Sequence, residues 1–370
     1  MRIGVPRETA EHERRVALVP ATVARLVKAG HEVVIERGAG DAAFYPDAEY
    51  TAAGAVVAGA DAAGDADIVC RVRRPDRLEL DRLREGAVLA SMLQPAASAT
   101  VLEALAARRV TALAMELVPR TTKAQAMDVL SSQATVAGYQ AVLLGASRLG
   151  RLMPMLTTAA GTLTPAKAFI IGAGVAGLQA IATARRLGAI VSAFDVRPVV
   201  REQVMSLGAS FVEADAVSAA AEGSGGYARE LADEQQQKVL EAVGKHIVEM
   251  DLVITTAQIP GRPAPQLITA GMVAGMRPGS VIMDLAGETG GNCELTRFGE
   301  EVVSGGVTVI AHANLPAMLP THASLMYSRN LQSLLDYLIT DGRVEFSVDD
   351  PITGPMCVTH DGQVRYGRPV

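Results

Sequence analysis

An α/β fold built as two parallel-sheet domains is what this sequence predicts, on three observations. The chain has 370 residues, longer than one hydrophobic core usually supports, so two domains are the default. Its composition is 49% hydrophobic and only 4% aromatic, with 35 Gly, which suits layers packed closely backbone to backbone. Along the chain, apolar runs of strand length alternate with helical patterns, and that alternation builds parallel sheets with covering helices.

In the first third the alternation reads RIGVP, ATVARLVKAG, HEVVIE, ADIVCRV, ATVLEALAARR and VTALAME. Gly30 stops the second of these segments as a helix before the strand that follows His31. A long helix is expected from near Lys123. Then comes AKAFIIGAGVAGLQAIATARRLGAIVSAFDV, a strand, glycine turn, helix and strand in about the thirty residues of a βαβ unit. Further strands are expected in MDLVITTA, GSVIMDLA and VTVIAHA, and a helix around 323–339. That helix can return to the first domain, so the domains are placed at 1–125 plus 320–370 and at 140–319. The tail, VEFSVDDPITGPMCVTHDGQVRY, alternates like strands and carries the hairpin signal Asp361-Gly362. Ala214–Gly226, ADAVSAAAEGSGG, reads as a flexible loop.

Composition removes several function classes. A net charge of -6 offers no basic patch for nucleic acid, and argues against adsorption to a membrane surface. The uncharged stretch 129–147 is interrupted by Ser, Thr, Gln and Tyr, so no direct membrane insertion is expected. Cys70, Cys293 and Cys357 form no CxxC pair and read as core thiols of a reducing compartment, with no metal site. The start, MRIGVPRE, is not a signal peptide. A cytoplasmic protein is expected.

The chemistry begins at Gly172-Ala173-Gly174-Val175-Ala176-Gly177. Here the GxGxxG pattern sits between a strand and a helix, where it has a physical use. The first glycine permits a tight turn, the second lets backbone approach a pyrophosphate, and the third allows close helix–strand packing. The helix that starts there turns unpaired N–H groups and a positive dipole end toward the phosphates. Asp195 follows eighteen residues after Gly177, at the end of IVSAFD. A carboxylate there accepts hydrogen bonds from an adenosine ribose and repels a 2′-phosphate, which favours NAD(H). Arg197, two residues on past Val196, is the kind of residue by which NADP-binding versions compensate. The fold class is then two Rossmann-like domains with a nucleotide cleft between them. Gly225-Gly226-Tyr227 reads equally as a hinged lid carrying one ring or as a plain loop.

The segment PRTTKAQAMDVLSSQATVAGYQAV, residues 119–142, is polar without an obvious acid–base catalyst. Read as one helix, it puts Gln125, Asp128, Ser132 and Thr135 on one face and Met127, Leu130, Ala134, Ala137 and Ala141 on another. The plain structural reading is a surface helix with a solvated stripe.

ERRVALVP, PRTTKAQAMDVLSSQ, GAGVAG followed by AFDVR, GGYARELADE, TTAQIPGRPAPQLIT and PGSVIMDLAGETGGNCE together span nearly the whole chain. This set resembles the NAD(H)-binding subunits of proton-translocating NAD(P) transhydrogenases, which are related to alanine dehydrogenases. The two differ in chemistry. Alanine oxidation passes through an imine and needs a Lys and a His to move protons, and the matching stretches here read Arg71-Val72-Arg73-Arg74-Pro75 and Met92-Leu93-Gln94-Pro95-Ala96. Arg stays protonated and Gln does not titrate. Arg15, without those partners, is read as structural.

The resemblance implies hydride transfer between NADH and NADP+, with NADP(H) carried on a partner subunit and proton translocation in membrane-spanning subunits. It implies a homodimer held peripherally at the cytoplasmic membrane through those partners. It places Arg120, Gln125, Asp128 and Ser131 around the nicotinamide. Hydride exchange between two nicotinamides needs no general acid or base, only groups that hold the ring and exclude water. By the same resemblance Gly226 and Tyr227 belong to a loop that closes over the nucleotide, and Gln258 lies near the pocket. Lys123 and Gln258 depart from the family's usual Arg and Leu. The rival functions are an amino-acid dehydrogenase acting alone and a non-enzymatic NAD-sensing protein.

Overall fold

A computed structural model describes residues 1–213, 233–259 and 262–367. It divides into two units, Met1–Gln133 with Pro316–Val370, and Ala134–Leu315.

The first unit opens with β1 (Arg2–Val5), β2 (Glu32–Glu36), β3 (Val56–Ala58), β4 (Ile68–Cys70), β5 (Val88–Ser91) and β6 (Thr111–Ala114), all parallel, in the spatial order β3-β2-β1-β4-β5-β6. The chain winds outward from β1 to β3 and then restarts on the other side with β4, so the order reverses between β1 and β4. β4, β5 and β6 are buried at every residue, as expected of parallel strands covered on both faces. β3 and β5 are absent from the sequence reading, because short apolar runs without alternation carry no period to read. The helix Pro20–Lys28 ends where Gly30 takes φ 89°, with His31 N–H donating to Leu26 O and Gly30 N–H to Val27 O, the closing turn that a left-handed glycine permits.

The second unit carries an exposed hairpin of β7 (Leu156–Thr158) and β8 (Gly161–Leu163), then β9 (Lys167–Ile171), β10 (Ile190–Phe194), β11 (Ser210–Phe211), β12 (Leu252–Thr255), β13 (Val281–Asp284), β14 (Glu301–Ser304) and β15 (Val307–Ile310). Its main sheet runs β11-β10-β9-β12-β13-β15-β14, parallel except for β14. The reversal here falls between β9 and β12. In open α/β sheets the ligand crevice lies outside the carboxyl ends of the strands at such a reversal.

The helix Pro320–Leu338 returns the chain to the first unit, where Leu331, Leu334 and Leu335 share one core with Ile3, Ile35, Ile68 and Tyr50. After β16 (Ile339–Thr340) and β17 (Arg343–Val344), β18 (Cys357–His360) pairs antiparallel with β6, and β19 (Gln363–Val364) with β18. Asp361 and Gly362 both take positive φ, 44° and 79°, the tight hairpin turn their sequence indicated. The rest of the tail is not strand: Thr353–Met356 is a short helix. Asp350 nucleates it by accepting from Ile352 N–H, Thr353 N–H and Thr353 Oγ.

The helix expected from near Lys123 begins instead at Val129 and runs to Arg148. Gln125–Met127 forms a separate 3-10 turn, and Asp128 leaves it extended at ψ 91°. The physical cause is a cap: Asp128 Oδ1 accepts from Ser131 N–H at 2.9 Å and Oδ2 from Ser131 Oγ at 2.6 Å, holding a first-turn donor that has no helical partner. Gln125 and Asp128 therefore do not share the helix face with Ser132 and Thr135. Leu130, expected on the apolar face, is 39% exposed. Cys70, Cys293 and Cys357 are buried and unpaired, and burial pushes the Cys70 thiol up to about 12. No described helix is long and apolar enough to cross a membrane, and no His, Cys, Asp and Glu group among the described residues could hold a metal.

Candidate functional site

The fingerprint leaves β9 at the reversal point of the second sheet and enters the helix Val175–Arg186. Each glycine has a distinct geometry. Gly172 takes φ 96°, and a Cβ there would lie 2.6 Å from Thr256 Oγ1. At Gly177 a Cβ would fall 1.8 Å from Gly172 O, so nothing but glycine lets helix and turn approach. Gly174 is the opposite case: the nearest atom to a Cβ is Arg197 Nη2 at 4.0 Å. That open space lies at the helix N-cap, where no side chain supplies a capping bond. A helix twelve residues long with an uncapped start beside bare backbone fits an anionic pyrophosphate.

Asp195 stands just past β10, 5% exposed. Its Oδ2 accepts from Ala173 N–H at 2.7 Å, tying the carboxylate to the fingerprint itself. Arg197 takes the remaining positions: its N–H and Nε donate to Oδ1 at 2.8 and 2.9 Å, and Nη2 donates to Oδ2 at 2.7 Å. Asp195 and Arg197 are thus one clamped unit, and a ribose hydroxyl must share or replace the guanidinium.

Behind the turn lie residues to which the sequence reading gave no role, although they belong to the motifs TTAQIPG and MDLAGETGGNCE. Thr256 Oγ1 donates to Gly172 O at 3.0 Å. Asn292 accepts from Ala257 N–H and donates to the carbonyls of Ala257 and Pro265. Asp284, at the end of β13 and 3% exposed, gathers Thr255 Oγ1, Thr296 Oγ1 and the N–H groups of Ala286, Asn292 and Cys293. Buried carboxylates persist when donors surround them in this way. Gln258 is exposed and donates to Leu285 O at 3.2 Å. Gly226 and Tyr227 lie outside the described residues.

In the first unit, the strand ends at the β1/β4 reversal are filled from within. Glu8 accepts from the N–H groups of Val72 and Arg73 at 2.7 and 3.2 Å. Arg71, 2% exposed, pairs with Glu79 at 2.7 Å and faces Glu8 at 3.5 Å. Arg15 is bidentate on Glu13 and donates to Gln133 Oε1, while Arg73 Nε also reaches Glu13. Burial pushes the Glu8 carboxyl up, against the pull of Arg71 and of the two amide bonds. Gln94 sits left-handed at φ 49°, its N–H and that of Leu93 donating to Glu116 Oε1. Burial raises Glu116, and its Oε2 is buried without a hydrogen-bond partner. The positions matching Lys and His of an alanine dehydrogenase hold ion-paired guanidinium groups and an amide.

Of the four residues expected at the nicotinamide, the structure joins Asp128 to Ser131 through the helix cap. Gln125 is exposed on the preceding turn, and Arg120 is exposed five residues earlier.

Two doubly wound sheets, one with a complete glycine turn at its reversal point, define a two-domain protein of the dinucleotide-binding class. The chain belongs to the alanine dehydrogenase/PNT family: the N-terminal domain model of that family matches residues 4–137 and the C-terminal one residues 141–367. It is 46% identical over 374 residues to a chain of NAD(P) transhydrogenase subunit alpha from Rhodospirillum rubrum, covering 98% of this chain and 97% of that one. The crystal structure of transhydrogenase from Sinorhizobium meliloti matches with TM-score 0.90 at 44% identity, over 99% of this chain and 100% of that one. Alanine dehydrogenase of Mycobacterium tuberculosis is 32% identical over 380 residues, 100% of this chain and 95% of that one.

Proposed function

We propose that this chain is the NAD(H)-binding component of a proton-translocating NAD(P) transhydrogenase. It exchanges hydride between NADH held here and NADP+ held on a separate subunit, and membrane-spanning subunits couple the exchange to proton movement. In this reading the chain works as a homodimer on the cytoplasmic side, joined to the membrane through its partners. The observation that carries it is the pairing of a complete dinucleotide turn with strand ends that hold Arg71, Arg73 and Gln94 where an amino-acid dehydrogenase needs groups that release protons.

The bound dihydronicotinamide supplies the hydride, which leaves its C4 for C4 of the oxidised ring, giving NAD+ and NADPH with no proton exchanged. The protein's task is then positioning and exclusion of water, with the two carbons about 3–3.5 Å apart. Gly172, Gly174 and Gly177, with the N–H groups of Ala173, Val175 and Ala176, take the pyrophosphate end. Asp195, Val196 and Arg197 take the adenosine ribose. Arg120, Gln125, Asp128 and Ser131 hold the reacting ring, Gly226 and Tyr227 close over the nucleotide, and Gln258 borders it. Asp128 has a second duty as the cap of the helix Val129–Arg148.

The test is transfer of deuterium from 4-deuterated NADH to NADP+ in ordinary water, with an NADP(H)-binding partner supplied and alanine and pyruvate controls on this chain alone. Label should arrive in NADPH undiluted. Loss of label to solvent, or alanine-dependent NADH formation, rejects the reading. Asp128→Asn keeps a capping oxygen and loses the charge, whereas Asp128→Ala loses both. A transfer rate reduced in each, by more than NADH affinity falls, assigns the carboxylate to the ring.

A further inference from the structure

Asn330 lies in the interior of the helix Pro320–Leu338 and is 8% exposed. Asparagine is a poor helix former, and burying its amide is unfavourable unless both ends are bonded. Both are. Its Nδ2 donates to Ala126 O at 2.8 Å, and its Oδ1 accepts from Ser132 Oγ at 2.7 Å. The orientation is forced, because a carbonyl only accepts and so must face the NH2 group. Ala126 is the centre of the Gln125–Met127 turn, and Ser132 belongs to the first turn of the helix Val129–Arg148. One side chain thus ties the two segments that flank Asp128.

The turn has an inner and an outer side. Met127 is 4% exposed and shares the core with Leu331 and Leu334 of the Asn330 helix, while Gln125 and Ala126 face outward. An apolar contact such as that of Met127 fixes how deep the turn sits, but it is non-directional. Rotation of the turn about that anchor, which would swing Gln125, is opposed by the directional bond from Asn330 to the Ala126 carbonyl. Gln133, the next residue after Ser132, is held independently by Arg15 Nη1 and by its bond to Ala323 O. The start of the helix is therefore fixed, and Asn330 references the turn to it.

We infer that Asn330 is a positioning residue for hydride transfer: its amide sets the Gln125–Met127 turn against the first turn of the helix Val129–Arg148, and so sets Gln125 and Asp128 relative to each other. This rests on the proposed role of those two residues at the nicotinamide. The same two bonds could be lost without emptying the site, because Asn330 touches neither the fingerprint nor Asp195.

Asn330→Asp keeps the size and the acceptor for Ser132 Oγ but turns an oxygen toward the Ala126 carbonyl. Asn330→Leu is a second variant of similar volume with neither bond, and Ser132→Ala removes only the second bond. Three measurements are made on each chain: NADH affinity, the single-turnover rate with an NADP(H)-binding partner, and amide hydrogen exchange of Met127 and Asp128 in the nucleotide-free chain. We expect both Asn330 variants to transfer hydride roughly tenfold to 100-fold more slowly, the cost typical of a displacement of about 1 Å in a positioned group. NADH affinity should change less than about threefold, far below the expected rate loss. Exchange at Met127 and Asp128 should rise in the Asn330 variants, and Ser132→Ala should lie between them and the parent. A folded Asn330 variant with the parent's rate, or with affinity and rate reduced by the same factor, overturns the inference while leaving the transhydrogenase reading standing. A parent chain that transfers no hydride to any partner overturns that reading first, and the inference with it.

Discussion

Replacing Asp195 by Asn should move nucleotide preference from NAD(H) toward NADP(H). In the structure the carboxylate is 5% exposed and bonded by Ala173 N–H and by three donors of Arg197. Asn keeps one oxygen for the Ala173 N–H, so the fingerprint turn should survive. The proposed ribose contact to a charged acceptor is worth about 1.5–3 kcal/mol, which raises the Kd for NADH on the order of 10- to 150-fold. A 2′-phosphate near the parent carboxylate at ~4 Å is repelled by up to about 4 kcal/mol at the effective dielectric of a protein surface. The variant removes that repulsion and releases a guanidinium to pair with the phosphate. The ratio of the two dissociation constants should therefore shift by roughly 100-fold or more. Fluorescence titration with NADH and NADPH measures it, and a thermal melt confirms that the variant is folded. A parent that binds NADPH as tightly as NADH, or a folded variant that weakens both nucleotides equally, would refute the assignment of Asp195 as the selectivity group.

The glycines give a paired prediction. Gly174→Ala adds a methyl to open space, so melting should be unchanged while NADH affinity falls about tenfold or more, through the lost approach of the pyrophosphate. Gly177→Ala drives a methyl to 1.8 Å from Gly172 O and should lower the melting temperature and the affinity together; equal behaviour of the two variants contradicts the geometry. His246 supplies a pH signature in the second unit, where its Nε2 lies 2.7 Å from Ser192 Oγ and its ring packs on Phe169. Burial holds its pKa below the ordinary value, with Glu249 pulling upward and Lys167 downward. Below the unfolded value of about 6.5 the unfolded chain therefore takes up a proton that the folded chain resists, and stability falls as pH drops. Urea unfolding at about pH 7.5 and about pH 5.5 should show a smaller loss for His246→Gln than for the parent, and identical losses would remove His246 from the account.

Much of this protein was legible in its sequence because the features concerned are local. The GAGVAG turn needs its glycines whatever surrounds it, the Asp361-Gly362 hairpin follows from two residues that tolerate positive φ, and the strand–helix alternation alone requires parallel sheets. The same is true of the slots at Arg71, Arg73 and Gln94, where residue type decides whether a proton can move. Other features were hidden because they depend on partners far along the chain. Strands β3 and β5 have no period of their own and exist by pairing. The expected helix from Lys123 is cut at Val129 because a side-chain cap at Asp128 competes with helix continuation, and the displaced turn is held by Asn330 from 204 residues away. Tertiary structure also decided that Asp195 is clamped by Arg197, since sequence spacing places the two near one another without saying whether a guanidinium bonds the carboxylate or turns from it. The sequence by itself determined which chemistries the chain can and cannot perform, because those rest on residue types and short-range backbone demands. Only the tertiary structure decided which groups are already engaged and how they are aimed, because directional bonds between distant residues leave no periodic trace along the chain.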